Sequence, residues 1–361
     1  MDSNIKFIKG IFLLLFFFAF VLSCVLFKVM DSFFKPVILS ILLSFVFYPP
    51  IKKLKTKLKM PWWLSTTIIF LIFFIVFFLI VNLLTVSFKS IASALPRYER
   101  KFFMIMEALK LKLSENSGSR LYAILGFDTD ISIFSNIENQ FNVLKYLRNL
   151  ALDFTTSVVT FMKTLFLVVL MSGFLLSEFR KMKQKVSLAF DDEHNSRVLR
   201  VVQNIIADVT HYASIKFVIS FFTGLLIFFA CSLTKMDFPL IWGFIAFCLN
   251  FIPTFGSIVS CSVTMIFAFI QFYPSLLPAI FISIWVIVVN FVLGNILEPK
   301  IEGDNLGISP FVILVALSLA GWLWGILGMI IAVPLMVITK IVCENISYLK
   351  PIGILIGSKA K

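Results

Sequence analysis

Charge is scarce in this sequence. Only 14% of its 361 residues are Asp, Glu, Lys or Arg, where a soluble domain carries roughly a quarter. Hydrophobic residues make up 60%, and the mean hydropathy is +1.01. That apolar surplus is too large for one globular core, so lipid is its natural solvent. Histidine is almost missing: His194 and His211 are the two, and no H-E-x-x-H is present, which argues against an intramembrane zinc protease. No G-x-x-x-x-G-K-[ST] occurs, so the chain has no ATP motor of its own. The five cysteines (Cys24, Cys231, Cys248, Cys261, Cys343) have no C-x-x-C spacing and fall in or beside apolar runs. They read as small buried hydrophobes, with neither zinc nor a disulfide framework implied. A soluble enzyme is excluded, and no catalytic residue, metal or cofactor is expected.

What is present is Phe and Lys. There are 44 Phe, and Lys (25) far outnumbers Arg (7), a bias of the kind AT-rich codon usage produces. A net charge of +13 raises nucleic acid as a partner. The Lys residues instead cluster beside apolar runs, where they set orientation and meet anionic lipid head groups. Membrane lipids, not nucleic acid, are the expected partners.

A crossing helix needs about 20 apolar residues. Candidates are Phe7–Phe27, Leu64–Phe88, Thr155–Leu176, Phe217–Leu233 and Leu277–Leu297, with a shorter Phe33–Tyr48 that Pro49 and Pro50 should end. Phe7–Phe27 lacks a small-residue cleavage site and reads as a retained first helix. Lys52, Lys53, Lys55, Lys57 and Lys59 place the loop Ile51–Met60 in the cytoplasm. Arg180, Lys181, Lys183 and Lys185 agree two spans later, and both termini are expected inside. The residues between Phe88 and Asp153 form an outer insert, amphipathic and helical from Ile91 to Leu113. Ser196–Val209 puts Val198, Val201, Val202, Ile205 and Val209 on one face, behind Asp191, Asp192 and Glu193. It is expected to lie on the cytoplasmic membrane surface, or else to dock a partner.

Two apolar stretches, Pro239–Tyr273 and Pro310–Val342, are too long for one ordinary span and too short for two. Irregular backbone at membrane depth survives only against protein or a wet cavity, and transporters place sites at matched pairs of broken helices. Asn250, Pro253 and Gly256 interrupt the first stretch; Gly321, Gly325 and Gly328 punctuate the second, before Pro334. Either the helices break there or small residues pack closely. Between the stretches, Asn290, Gly294, Asn295, Glu298, Pro299, Gly303 and Pro310 mark a helix end and loop. The two Asn side chains suit a solute or a cation, or simple hydrogen bonds between helices.

The order N-F-I-P-T-F-G (Asn250–Gly256), E-P-K-I-E-G-D-N-L-G-I-S-P (Glu298–Pro310) and G-W-L-W-G-I-L-G-M-I-I-A-V-P (Gly321–Pro334) resembles the autoinducer-2 exporter (AI-2E) family of bacterial membrane proteins. The resemblance runs from Pro36 to Pro334. It implies an all-α integral membrane protein with about eight membrane segments, two of them helical hairpins. It also implies a bacterial inner-membrane homo-oligomer that moves a small solute: autoinducer-2 in some members, sodium or lithium against protons in others. Ser309 stands where the family often has histidine, and Glu302 with Asp304 makes the loop unusually acidic.

The expected organisation is three helices over 1–88 with a basic cytoplasmic loop, an extracytoplasmic helical insert over 89–153 and a helix over 154–177. A cytoplasmic amphipathic helix over 178–211 follows, then a transport core over 212–345 whose broken segments are 239–273 and 310–342, and a cytoplasmic tail over 346–361. The expected function is export of a small polar solute by alternating access at the two breaks, with sodium or proton as the coupling ion if there is one. A sodium (or lithium)/proton antiporter is the alternative, and a non-transporting scaffold a third. Asp31, Glu178, Asp208, Asp237, Glu298 and Glu344 all fall at segment ends, which argues against a proton relay at mid-depth.

Overall fold

The computed structural model describes residues 2–115, 160–179, 181, 185, 192–302, 307–346 and 348–358. These residues are helical almost throughout, and the only β-type pairing among them is an isolated bridge between Ile308 and Gly357. In chain order the helices are α1 (Asp2–Val29), α2 (Asp31–Leu58), α3 (Trp62–Glu115), α4 (Thr160–Phe179) and α5 (Asp192–Leu233). Then come α6 (Pro239–Leu249), α7 (Phe255–Phe272), α8 (Leu277–Asn290) with a π-helical continuation Phe291–Leu297, α9 (Glu298–Glu302), α10 (Pro310–Asn345) and α11 (Lys350–Ile356). Seven stretches within α2–α5, α7, α8 with its continuation, and α10 are long and apolar enough to cross a membrane by length and composition, although Gly325 interrupts the last of them. Phe17–Val29 and Pro239–Leu249 are shorter apolar helices. The chain is therefore an all-α, multi-pass membrane protein.

Several boundaries differ from those expected. Pro49 and Pro50 do not end a helix, because α2 continues through them to Leu58 and makes the Lys-rich segment helical. A proline at 49 leaves the carbonyl of Phe45 without its i+4 amide. The Thr210 hydroxyl of α5 donates to that carbonyl at 2.9 Å, so the break is mended from outside the helix. Replacing Thr210 with Val keeps the shape and removes the donor. It should cost about 1 kcal/mol, read as a lowered unfolding midpoint of the purified protein.

The amphipathic stretch Ile91–Leu113 is not a separate element, since α3 runs unbroken from Trp62 to Glu115. Similarly, Ser196–Val209 and Phe217–Leu233 are parts of one helix, α5. The apolar face of Ser196–Val209 is covered by protein: Ile205 and Val209 are buried, and Val201 packs with them. This explains its amphipathicity without a membrane-surface position. The remainder of the insert (116–153), the 155–159 start of the fourth span, Gly303, and the basic residues Arg180 and Lys183 lie outside the described residues.

The chain folds into two compact units, and the expected contiguous core over 212–345 is divided between them. The first contains Met1–Phe73, Met162–Ile215 and Glu302–Lys361. Its core joins Leu42 and Phe45 of α2, Ile205 and Val209 of α5, and Trp324, Ile331 and Val337 of α10. Helix α11 returns to the start of α10, where the Ser309 amide donates to the Ile356 carbonyl and the Ser358 amide to that of Gly307.

The second unit contains Phe74–Phe161 and Lys216–Ile301. Its core is Ile227 and Cys231 of α5, Trp242 and Ala246 of α6, Ala268 of α7, and Ile282 and Val286 of α8. Gly224 and Gly243 let α5 and α6 touch backbone to backbone: a Cβ on either would lie within 2.7 Å of the other's carbonyl oxygen. Close approach through small residues is a common way for helices to associate in lipid.

Candidate functional site

The first apolar stretch is a hairpin. Helix α6 has 11 residues, about 16 Å of rise and far short of a roughly 30 Å hydrocarbon core; α7 returns with 18. The reversal uses residues 250–254. The Ile252 amide donates to Leu249, that of Phe255 to Pro253 at 2.7 Å, and that of Gly256 to Ile252. Thr254 sits at φ 64°, ψ −59°, the centre of a γ-turn of the rare, strained hand. Gly256 faces back into the turn, and a Cβ there would stand 1.7 Å from the Leu249 oxygen. Asn250, Pro253 and Gly256 thus meet at one tip.

That tip is polar inside. Asn250 is 4% exposed; its Nδ2 donates to Ser220 Oγ at 3.0 Å, and its Oδ1 accepts from Ser257. Ser220 lies on α5 with Lys216 and Thr223 at i−4 and i+3, one face of the helix, and all three are buried. Lys216, 3% exposed, forms an ion pair with Glu298. On α7, Ser260 and Thr264 continue the face begun by Gly256, are almost wholly buried, and have no hydrogen-bond partner. A buried hydroxyl without a partner costs free energy.

Glu298 directly follows the π-helical segment Phe291–Leu297. Seven residues is long for π-helix, which usually appears as single-turn bulges at functional positions. Asn290 closes α8 just before it, buried and donating to its own Val286 carbonyl. Within the segment, Asn295 is exposed, and Gly294 has nothing within 4 Å of where a Cβ would stand. Pro299 follows Glu298 and is exposed.

At the opposite end of the same hairpin, Asp237 is clamped by α3. Its carboxylate accepts from Arg97 and from the Tyr98 hydroxyl, while the Gln271 carbonyl accepts from Lys101. Burial first, and then donation to Asp237, push the Tyr98 phenol well above its ordinary range, so it remains a donor. Trp242 Nε1 donates to the Asp237 carbonyl, and Gln271 accepts from the Asp237 amide while donating to the Lys235 carbonyl.

The second apolar stretch, in the first unit, is also a hairpin. Gly325 at φ 65°, ψ −144° occupies a conformation essentially reserved for glycine. A Cβ on Gly328 would be 1.9 Å from the Ala320 oxygen; in a straight helix residues eight apart are separated by about 12 Å. Gly321 meets Met329 across the same turn. The arm over 310–324 opens with Pro310, and the returning arm buries Pro334. Its tip is tied to α1 by Trp324 Nε1 donating to Phe27 and by the Lys28 ammonium 3.7 Å from the Trp322 ring centre.

Of the residues singled out from sequence, two groups gather at hairpin tips: Asn250, Pro253 and Gly256 in one unit, Gly321, Gly325 and Gly328 in the other. Asn290, Gly294, Asn295, Glu298 and Pro299 follow one another at the end of α8, but only Glu298 reaches the partner described above. Sequence reasoning missed Lys216 by starting the span one residue later, at Phe217. The i, i+4, i+7 polar face of Lys216, Ser220 and Thr223, followed by Ser257, Ser260 and Thr264, was the available signal.

A family model described as "AI-2E family transporter" matches residues 11–348. A presumed transport protein of Borreliella burgdorferi is 33% identical over 331 residues, covering 92% of this chain and 86% of its own length. The AI-2 transport protein TqsA of Escherichia coli is 26% identical over 328 residues, 90% of each chain. Bacillus subtilis YueF, another presumed transport protein, is 25% identical over 330 residues, 88% of this chain and 85% of the relative.

Proposed function

The chain belongs to the AI-2E transporter family, and on that basis we propose that it is a secondary transporter of the bacterial inner membrane exporting a small polar solute. The observation that carries this reading is the polar interior beneath the first hairpin. It holds a buried ion pair, a Ser220–Asn250–Ser257 chain and two unpartnered hydroxyls in a chain otherwise made for lipid. Polar groups inside membrane segments mark solute and ion pathways. The strained γ-turn at Thr254 and the positive-φ hinge at Gly325 supply the irregular backbone from which alternating-access devices are built. The mobile parts are the two hairpins, each reversing within its own unit, and a homo-oligomer would supply the stationary scaffold.

Autoinducer-2 is the first solute to test, because TqsA is named for its transport. Everted membrane vesicles containing this protein should accumulate it, and Asn250→Leu should reduce the initial rate at least about tenfold while the protein inserts normally. Tenfold corresponds to about 1.4 kcal/mol, within reach of one lost buried hydrogen-bond network. Unchanged flux in Asn250→Leu would remove the hairpin interior from the path; absence of wild-type accumulation would remove autoinducer-2 as the solute. Antiport of sodium is less well served by this interior, because Glu298 already faces Lys216.

A further inference from the structure

The C-terminal helix α11 is apolar on both of its faces. Along Lys350–Ile356, K-P-I-G-I-L-I, Lys350 carries the one polar side chain. One face meets protein. Gly353 is buried so close to α10 that a Cβ there would lie 3.2 Å from the Glu344 amide nitrogen, and Ile356 packs against the core of the first unit. On the other face Ile352 and Leu355, three residues apart, are exposed, with Tyr348 just before the helix. Leu355 is 78% exposed and Tyr348 95%. A helix apolar on both sides calls for burial on both sides. Seven residues, about 10 Å of rise, are far too few to cross a bilayer.

The contacts of α11 also fix its depth. The Ser309 amide donates to the Ile356 carbonyl and the Ser358 amide to that of Gly307, which pins the helix to the foot where the second hairpin starts. The Gly353 contact with Glu344 pins it to the foot where the hairpin ends. Both feet therefore lie at one level, and α11 bridges them. Lys340 and Glu344 form an ion pair at that level, as suits a membrane edge. Just past Ser309, Phe311 is 74% exposed, and Leu314 and Val315 follow it on the outgoing arm. The uncovered face of α11 thus adjoins the apolar surface of an arm that enters the membrane.

We propose that α11 is an interfacial helix: its Ile352–Leu355 face lies in the head-group boundary of the bilayer, and through it the lipid surface seats both feet of the second hairpin. The chemistry selects lipid as the occupant. Leu and Ile suit the acyl edge, Tyr is enriched at head-group level, and Lys350 can reach back towards lipid phosphates. Three lysines and no acid follow Glu344 in the sequence, so nothing in the tail repels anionic head groups. A stable contact with a second copy takes about 800 Å² per partner, more than one face of two helical turns offers. The tail expected over 346–361 is then no free appendage in water, since it returns to the membrane at α11. Lipid seating of α11 holds whichever solute the protein moves.

The test places a nitrobenzoxadiazole fluorophore on Leu355→Cys of the full-length protein, with the five native cysteines replaced by alanine, in nanodiscs of phosphatidylethanolamine and phosphatidylglycerol. Lipids carrying a nitroxide near the head group should remove more than about half of the emission, because an interfacial helix sinks its apolar face only about 5–10 Å. A nitroxide near the chain end should quench less, and aqueous iodide hardly at all. Quenching by iodide alone would place α11 in water. Protection from both quenchers would mean that protein, a second copy included, covers it. Either result overturns the proposal. The seating is read separately at Ile308→Cys, a position 5% exposed where α11 bonds the first foot. Ile352→Ser/Leu355→Ser changes only exposed positions and should raise maleimide labelling of that cysteine about tenfold in nanodiscs, a shift of about 1.4 kcal/mol in local opening. Equal labelling with and without the serine pair would show that protein contacts alone hold the feet, and would overturn the lipid's part in seating the hairpin.

Discussion

Gly256→Ala and Gly328→Ala are each expected to abolish transport, and each to do so through its own hairpin. The added methyl would fall 1.7 Å from the Leu249 oxygen in one case and 1.9 Å from the Ala320 oxygen in the other. Backbone occupies both positions, so no side-chain rotation relieves the overlap, and the turn must open. At the first tip, opening pulls apart the Ile252–Gly256 and Leu249–Ile252 hydrogen bonds and displaces Asn250 from Ser220. In lipid those freed amides find no water. Loss of activity above about a hundredfold, with poor yield of folded protein, is the expected phenotype, equivalent to some 2.7 kcal/mol or more. Gly294→Ala is the control, since nothing stands within 4 Å of its Cβ position and the residue is helical; it should fold and transport near wild type. Vesicle flux normalised to folded protein by fluorescence-detected gel filtration separates these outcomes. If Gly256→Ala transports normally, the Leu249–Gly256 contact is not part of the working hairpin.

The two breaks were legible in the sequence because each departs from lipid logic at a residue type with one physical use. Gly325 sits where φ is positive, and Asn250 with Pro253 interrupts a run that nothing else would interrupt. What was not legible is how helix termini are overruled by neighbours. Pro49 and Pro50 carry a strong local stop signal, yet α2 continues because Thr210, distant in sequence, takes the Phe45 carbonyl. The face of Ser196–Val209 has the right periodicity for a surface helix, but periodicity reports only that one side is apolar. The same pattern serves burial against α2 and α10, and that is where Ile205 and Val209 lie. The division into two units was invisible for a related reason. Both α3 and α5 contribute residues to each unit, so no change of composition marks a boundary along the chain.

The interior charge pair shows the same limit at the site. Glu298 stood at the end of an apolar segment and Lys216 just before one, and each alone reads as an interfacial residue that reaches for water. Only the fold shows that they face each other beneath protein. Glu298 does stand at a segment end, but its side chain is 14% exposed and faces a Lys216 side chain that is 4% exposed, so the argument against ionisable groups holds for a lone carboxylate but not for a paired one.

Removing one member of that pair should therefore cost far more than removing both. Lys216→Met leaves Glu298 without its cation and should destabilise the protein by about 3–5 kcal/mol, the usual penalty for breaking a buried pair from one side. Glu298→Leu alone strands an ammonium that is 3% exposed and should be comparably harmful. The double variant Lys216→Met/Glu298→Leu replaces two desolvated charges with apolar side chains of similar bulk and should return to within about 1 kcal/mol of wild type. Denaturant unfolding in a fixed detergent closes the cycle, and a coupling energy above about 2 kcal/mol is the expected result. Additive single effects would mean that the two charges are solvated separately and that the buried pair does not form in the membrane. Flux through the stable double variant then assigns the pair its role. Charges kept only for packing would leave transport unchanged, whereas a pair that opens and closes around the solute predicts a well-folded protein that no longer moves it.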